Sequence, residues 1–482
     1  MTTTATGQAT TTDEDPAPAG DGSLTATIAR VAADLDPAAL PPEVVKAARR
    51  HVLDILGIAA AASAQEFGQR FQRLPLAVPS AGLAATAVGL PDPVAAEDAA
   101  LVNGTLAHGL DFDDTYQPGI IHIGAVVIPT ALAVGQSTGA SSDEILASVV
   151  IGYEVASRIA ESAAGEFHRT GYHATPICGA FAAAVVAARL LRLDEPTTRH
   201  ALGIVGSFAS GIQEFLRDGS DTKRLHPGWA ANAGIRAARF AHIGFTGPEK
   251  VLEGHYGLFA THVGLERFDR AKVTDGFGER WNILGVSVKP YPCCHLLHAH
   301  IDAARHLRAS GVDPAEITGI RATIHQAGLH LLAEPIEEKR RPSTTYGAQF
   351  SLPFAVAAGF LDDRIGLPSF SSDRLGDPEV QRLAGLTECV ADGESRYPRY
   401  FDGAVEVLLA DGSRQARRED VNLGSPERPL DDATLTEKFV GNLDVRGVPG
   451  GVSRRLAEGL LTDASVIDLI AELQDALTAT TS

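Results

Sequence analysis

Residues 283–292 read ILGVSVKPYP, and at this stretch the hydrophobic pattern of the chain changes period. Apolar residues alternate here with small or polar ones, the period-two signature of a strand. The alternation returns in ITGIRATIH at 317–325 and in GAVEVLLADGSRQARRE at 403–419, where Asp411 and Gly412 supply the dipeptide of a tight hairpin turn. Between them CCHLLHAHIDAARHL, 293–307, reads as a helix.

Upstream the period is helical. Pro41 and Pro42 suit a helix start, and Val45, Ala48, Val52, Ile55 and Ala59 follow at three- and four-residue steps. Ser141 and Glu144 form a capping box ahead of Leu146, Val149, Val150 and Tyr153. Alanine-rich helical spacing runs from His173 to Leu191, Ala201 to Ala209 and Trp229 to His242, and resumes after Asp431 in LTEKFVGNL, VSRRLAEGLL and VIDLIAELQDAL. This order predicts a mainly α protein with a smaller α+β domain set into a large all-helical one. The expected boundaries are a disordered tail at 1–23, a helical domain from 24 to 280, the smaller α/β domain from 281 to 428, and helices at 429–482 returning to the first domain.

A chain of 482 residues, 45% hydrophobic, can fill a substantial core. Its formal charge of −19 argues against a nucleic-acid or anionic-membrane surface, so an anionic ligand needs a local basic pocket. Lysine is scarce, at Lys46, Lys223, Lys250, Lys272, Lys289, Lys339 and Lys438. Lys223 (DTKRLHPG) and Lys289 (VKPYPCCH) stand out because both lie in Gly/Pro/His-rich stretches. Cys178, Cys293, Cys294 and Cys389 form no CxxC pair or disulfide spacing, which predicts a reduced, cytoplasmic protein. No apolar run approaches the ~20 residues of a membrane span. The opening MTTTATGQATTTDEDPAPAGDGS has no apolar core and resembles no targeting peptide.

The chemistry concentrates at 111–122, DFDDTYQPGIIH, which sets three carboxylates, a hydroxyl and an imidazole within a dozen residues. Asp111 and Asp114 are three apart and on a helix end would share one face, where crowding raises a carboxyl pKa toward proton-transfer range. A solvated cap or turn is the plainer reading of paired Asp residues. The flanks AALVNGTLAHGL and IGAVVIPTALAV want burial, however, and buried carboxylates need a reason.

Other chemistries find less support. Residues 135–139, GQSTG, fit the pattern of a nucleophile elbow, but Pro129 interrupts the preceding run and a new helix starts at Ser141 or Ser142, so a loop between helices fits better. There is no P-loop and no GxGxxG opening a helix. Of His295, His298 and His300 only the first two share a helical face, and no fourth ligand is spaced for a metal. The acids at 111–114 could instead hold Mg²⁺ for a phosphate substrate, which would require clamping Arg or Lys nearby.

Six stretches taken in order carry a resemblance. DFDDTYQPGIIHIGAVVIPTALA (111–133), GYEVASRI (152–159), GYHATPICGAFAAAVVAARLL (171–191), TKRLHPGWAANAGIRAARFAHIGFTGPEKVLEG (222–254), VKPYPCCHLLHAHIDAA (288–304) and YGAQFSLPFAVAAGFLDD (346–363) resemble the signature blocks of the MmgE/PrpD family. That family includes 2-methylcitrate dehydratase, cis-aconitate decarboxylase and an iminodisuccinate epimerase. The resemblance implies a helical domain, an α/β lid domain, a homodimer and a cofactor-free cleft for a small di- or tricarboxylate, and the Cys and His spacings predict that it holds no metal. By matching blocks it implies pocket residues at Asp111, Thr115, His122, His173, Lys223 and Lys289. The segment between Thr115 and His122 is one residue longer than in the decarboxylase, and Phe354 stands where that enzyme has a pocket Tyr.

The implied roles fit one chemistry. Dehydration, decarboxylation and epimerisation of polycarboxylates all build negative charge beside a carboxylate. Lys223 and Lys289 would hold substrate carboxylates and that charge. His122 and His173 would move protons, Asp111 would orient a histidine or act as base, and Thr115 would bond the substrate. The expected activity is a cofactor-independent hydro-lyase, with an epimerase or decarboxylase as alternatives and a non-catalytic carboxylate binder as the remote one. As plainer readings, His173 could cap a helix, Lys223 could lie on the surface, and Thr115 could cap a turn.

Overall fold

The computed structural model describes residues 22–74, 84–218 and 220–480, so the expected tail lies outside the described residues except for its last two. Eight helices form the first layer: α1 (Leu24–Asp34), α2 (Pro42–Ser63), α3 (Ala96–His108), α4 (Gly124–Thr138), α5 (Ser142–Ser162), α6 (Ala174–Leu190), α7 (Glu195–Val205) and α8 (Thr222–His242). Helix α6 packs against α4, α5, α7 and α8, which is why it is apolar on every side rather than on one stripe. Ser141 caps α5 by accepting the Glu144 N–H at 3.3 Å.

Helices α3 and α8 cross at glycines. A Cβ on Gly228 would sit 2.2 Å from the Leu101 carbonyl oxygen, and one on Gly104 would sit 2.8 Å from the Gly228 Cα. Only glycine allows this approach, and it brings the start of α8 against the end of α3. The stretch TKRLHPG is itself helical, with Pro227 inside α8, so this helix begins seven residues before the Trp229 at which alanine spacing becomes visible. Pro129 is likewise inside α4 and does not end it. The GQSTG stretch is the last turn of α4 with Gly139 at φ 66° as its cap, and Ser137 Oγ donates to the Val134 carbonyl at 2.9 Å. No nucleophile elbow exists there.

The smaller unit follows in the order α9 (His298–Ala309), β1 (Ile317–Ile324), α10 (Leu352–Leu361), α11 (Pro378–Gly385), β2 (Thr387–Ala391), β3 (Gly403–Leu409) and β4 (Arg414–Glu419). Its sheet runs β2-β1-β3-β4, with β1 and β2 parallel and the other pairs antiparallel. Strand β2 has no hydrophobic period for a sequence to reveal, because Thr387 is its one buried residue. Helix α9 packs on β3 and β4, and α10 lies between α9 and α11.

ILGVSVKPYP is not a strand. Asn282–Gly285 is a 3₁₀ turn, and the following residues form an isolated antiparallel bridge in which Ser287 and Thr115 exchange N–H···O bonds of 2.9 Å. Pro290 and Pro292 lack the donors that would extend a ladder. The alternation serves to thread the chain between two cores: Val286 and Val288 belong to one, Tyr291 and Cys293 to the other. Lys289 sits at the crossing.

Three last helices, α12 (Asp432–Asp444), α13 (Gly450–Leu461) and α14 (Val466–Ala479), complete the larger core, with α12 and α13 on α2. No helix of the described residues is long and apolar enough to cross a membrane.

Candidate active site

Helix α3 ends at His108, and the loop after it turns sharply: Asp111 has φ 50°, a left-handed conformation that Asp tolerates better than most residues. Its contacts account for the shape. Lys289 Nζ, fully buried, donates to Asp111 Oδ1 at 2.6 Å and to its carbonyl oxygen at 2.9 Å, and Lys223 Nζ from α8 reaches Oδ2 at 3.3 Å. Burial alone would raise the Asp111 carboxyl, but the two lysines outweigh it and hold it well below the usual range. Burial would likewise lower Lys223, but Asp111 together with Tyr346, Cys294 and Asp113 outweighs it, keeping the ammonium charged. One carboxylate between two ammoniums leaves this triad with one positive charge in excess.

Asp111 and Asp114 do not share a face. Asp114 points the other way, accepting from Gly124 N–H at 2.9 Å and from the Tyr153 hydroxyl, with His51 Nδ1 3.0 Å from Oδ2. The loop is no helix end, so the three-residue spacing has no helical meaning. Asp113, fully buried, accepts from His108 Nδ1 at 2.7 Å and leaves Oδ1 unpartnered. Burial pushes the Asp113 carboxyl up to about 6, with His122 and Lys289 opposing. The raised acid is therefore the middle one, and burial rather than crowding is the largest cause.

His122 Nδ1 lies 2.8 Å from the Asp114 carbonyl oxygen. A carbonyl only accepts, so Nδ1 carries the proton and Nε2 keeps its lone pair. Burial lowers the imidazole to about 4, so it is neutral at pH 7. His173, at the start of α6, has its Nδ1 3.0 Å from His226 Nδ1 on α8, and burial pushes it well below the usual range. The rings of His122, His108, His173 and His226 form a row with successive centroid separations of 5.0, 5.8 and 5.3 Å.

Thr115 is buried, its backbone pairs with Ser287, and its Oγ1 has no partner. Phe354 lies in the core of the smaller unit with its ring 5.8 Å from Phe370. The smaller unit contributes Gln349, which donates to Leu110 O at 3.1 Å and Pro292 O at 2.8 Å, and Phe350, whose ring lies 4.9 Å from Lys223 Nζ.

Sequence reasoning missed His108, His226 and the support under the loop. Lys438 of α12 pairs with Asp54 of α2 at 2.6 Å and donates to the Phe112 carbonyl at 3.1 Å, with its ammonium 3.8 Å from the Phe112 ring. The scarcity of lysine was a signal for Lys438. For His108 the only signal is an imidazole inside an apolar helix end.

His108, Asp113 and His122 offer ligand atoms within 4.8 Å of one another and could hold a metal ion. Their Nδ1 atoms are already engaged, to Asp113 and the Asp114 carbonyl, and Lys289 brings a cation beside them. His295, His298 and His300 do not converge: His295 Nε2 takes the Asn422 amide at 2.8 Å, whereas His300 Nε2 donates to the Thr323 carbonyl at 2.8 Å.

Comparisons with known proteins place both units in one family. Residues 26–271 match the MmgE/PrpD N-terminal domain and residues 291–457 the MmgE/PrpD C-terminal domain. The chain belongs to the MmgE/PrpD family. It is 26% identical to the cis-aconitate decarboxylase of Aspergillus terreus, over 86% of this chain and 88% of that protein. It is 28% identical to the human cis-aconitate decarboxylase, over 87% and 88% respectively. A cis-aconitate decarboxylase-like protein of Aspergillus oryzae is 25% identical, over 89% and 92%.

Proposed function

We propose that the chain is a lyase that dehydrates a small di- or tricarboxylate without a cofactor. The observation that carries this reading is the buried Asp111 flanked by two lysines, beside imidazoles that are neutral and have an Nε2 without a protein partner. Lys223 binds a substrate carboxylate, and the two ammoniums stabilise the charge that forms when the adjacent C–H bond breaks, an effect of about 3 kcal/mol per donor. His122 Nε2 takes that proton, the C–O bond breaks, and the departing hydroxide leaves as water with a proton from His173. The carbon–carbon double bond remains. Asp111 holds the lysines, Thr115 Oγ1 hydrogen-bonds the substrate, and Phe350 rather than the core residue Phe354 supplies the apolar side.

A second reading, decarboxylation, is favoured by the similarity to cis-aconitate decarboxylases. Mass spectrometry of 2-methylcitrate, citrate, cis-aconitate, tartrate and iminodisuccinate incubated in D₂O separates the outcomes. Loss of water supports the dehydratase, loss of carbon dioxide the decarboxylase, and deuterium in recovered substrate an epimerase. No change in any of them would leave a carboxylate binder.

Turnover is expected to survive exhaustive EDTA treatment, because the Nδ1 atoms of His108 and His122 are committed and Lys289 places a cation beside them. Loss of turnover with recovery on one added metal would turn the His108, Asp113 and His122 cluster into a metal site.

The reading includes a homodimer formed through the helical unit and a reducing, cytoplasmic setting for the four free cysteines. Leu225, Trp229 and Phe240 on the outer side of α8, with Ile243 and Phe245 beyond it, leave an exposed apolar surface of the kind a second copy would cover. Light scattering should give about twice the chain mass of 50.5 kDa. A monomer with full activity would refute it.

A further inference from the structure

We infer that His226 is a positioning residue that sets which nitrogen of His173 carries its proton and passes protons between His173 and solvent. The inference rests on the reading of His173 as a proton-transfer group. Two imidazole nitrogens 3.0 Å apart cannot both present lone pairs, so one proton lies between the two Nδ1 atoms. Both rings are buried in a setting that disfavours the charged form: burial is the largest cause for each, and His108 and Lys223 add to it, as does His168 for His173. A neutral pair sharing one proton has two arrangements. With the proton on His226 Nδ1, His173 accepts there and presents Nε2–H, an acid. With it on His173 Nδ1, the bond reverses and His173 presents a bare Nε2, a base.

The passage between them balances. When His173 Nε2 gives its proton to the departing hydroxide, the His226 Nδ1 proton moves to His173 Nδ1, and His226 Nε2 takes a proton from solvent. Return of a proton along the same line restores the first arrangement. Surroundings hold the pair in place. The Phe215 ring meets both imidazoles edge-on, at 5.7 Å from each, and the His173 N–H donates to the Gly211 carbonyl at 3.0 Å. His226 is 7% exposed, and its Nε2 has no protein partner yet is not sealed from solvent, which a relay requires. His173, at 4%, is the inner member.

The test compares His226→Asn, whose amide can keep the bond to His173 but cannot pass a proton through, with His226→Ala. Both are expected to lower kcat about tenfold or more with KM changed less than about twofold, and added imidazole should restore part of the rate to His226→Ala. In ¹⁵N spectra of histidine-labelled protein without substrate, the His173 ring nitrogens should shift in both variants. Wild-type kcat in His226→Asn would overturn the relay, and unchanged His173 nitrogen shifts in His226→Ala would overturn the coupling itself. If the wild-type protein turns over none of the carboxylates, the functional reading fails, while the nitrogen shifts still decide the coupling.

Discussion

His122→Ala is expected to lower kcat and kcat/KM together by ~10²-fold or more, because a group that moves a proton in the transition state contributes there and not to ground-state binding. The geometry gives this histidine one committed nitrogen and one open one. Its Nδ1–H is fixed by the Asp114 carbonyl, its backbone N–H by Thr175 Oγ1 at 3.1 Å, and its pKa near 4 keeps Nε2 unprotonated through the neutral range. A base with so low a pKa binds a proton weakly at equilibrium, so its usefulness depends on Asp113 Oδ1, 3.9 Å from Nδ1, which stabilises the imidazolium as it forms. His122→Ala removes the base and leaves the lysines in place, so KM should stay within a few-fold. Circular dichroism must match the wild type. Kinetics like the wild type in a folded variant would remove His122 from proton transfer.

What could be read in advance divides by the range of the interaction. Caps and periods are local, so Ser141 with Glu144, Pro42, the Asp411-Gly412 turn and strands β1, β3 and β4 are visible in the sequence. Helix α8 was visible only from Trp229, because Pro227 and the polar TKRLH start conceal a helix whose beginning is decided by its crossing with α3. ILGVSVKPYP has a strand's alternation without a strand's partner, and pairing is a long-range property.

The site follows the same division. Asp111, Lys223 and Lys289 meet although about a hundred residues separate the first two, and unusual residues in unusual contexts pointed to each. The helical spacing drawn between Asp111 and Asp114 failed because the chain leaves α3 at His108 and turns left-handed at Asp111. His108 and His226 were passed over because each looks ordinary in its own segment. Their meaning comes from α3, α6 and α8 packing side by side, which no single stretch encodes.

The second large effect is expected at Lys289, and it should differ in kind from that at Lys223. Lys289 is fully buried and makes two bonds to Asp111, so Lys289→Ala would leave a buried carboxylate with Lys223 alone at 3.3 Å. Breaking a buried pair from one side costs roughly 3–5 kcal/mol, because the surviving charge loses its partner and gains no water. The Asp111 carbonyl also loses its donor, and the left-handed turn that aims the loop loses its clamp. Both stability and turnover should fall, with a clear drop in the urea midpoint and kcat near background. Lys223 has 11% of its side chain exposed and makes a single, longer contact to Asp111, 3.3 Å to Oδ2. Lys223→Ala should therefore leave the urea midpoint closer to that of the wild type and chiefly raise KM, with kcat falling only as far as the ammonium also stabilises developing charge. Urea unfolding and steady-state kinetics on the two variants decide between these outcomes. Equal losses of stability would make both lysines structural clamps, and a Lys289→Ala protein with wild-type midpoint and kcat would show that Asp111 does not need its buried partner.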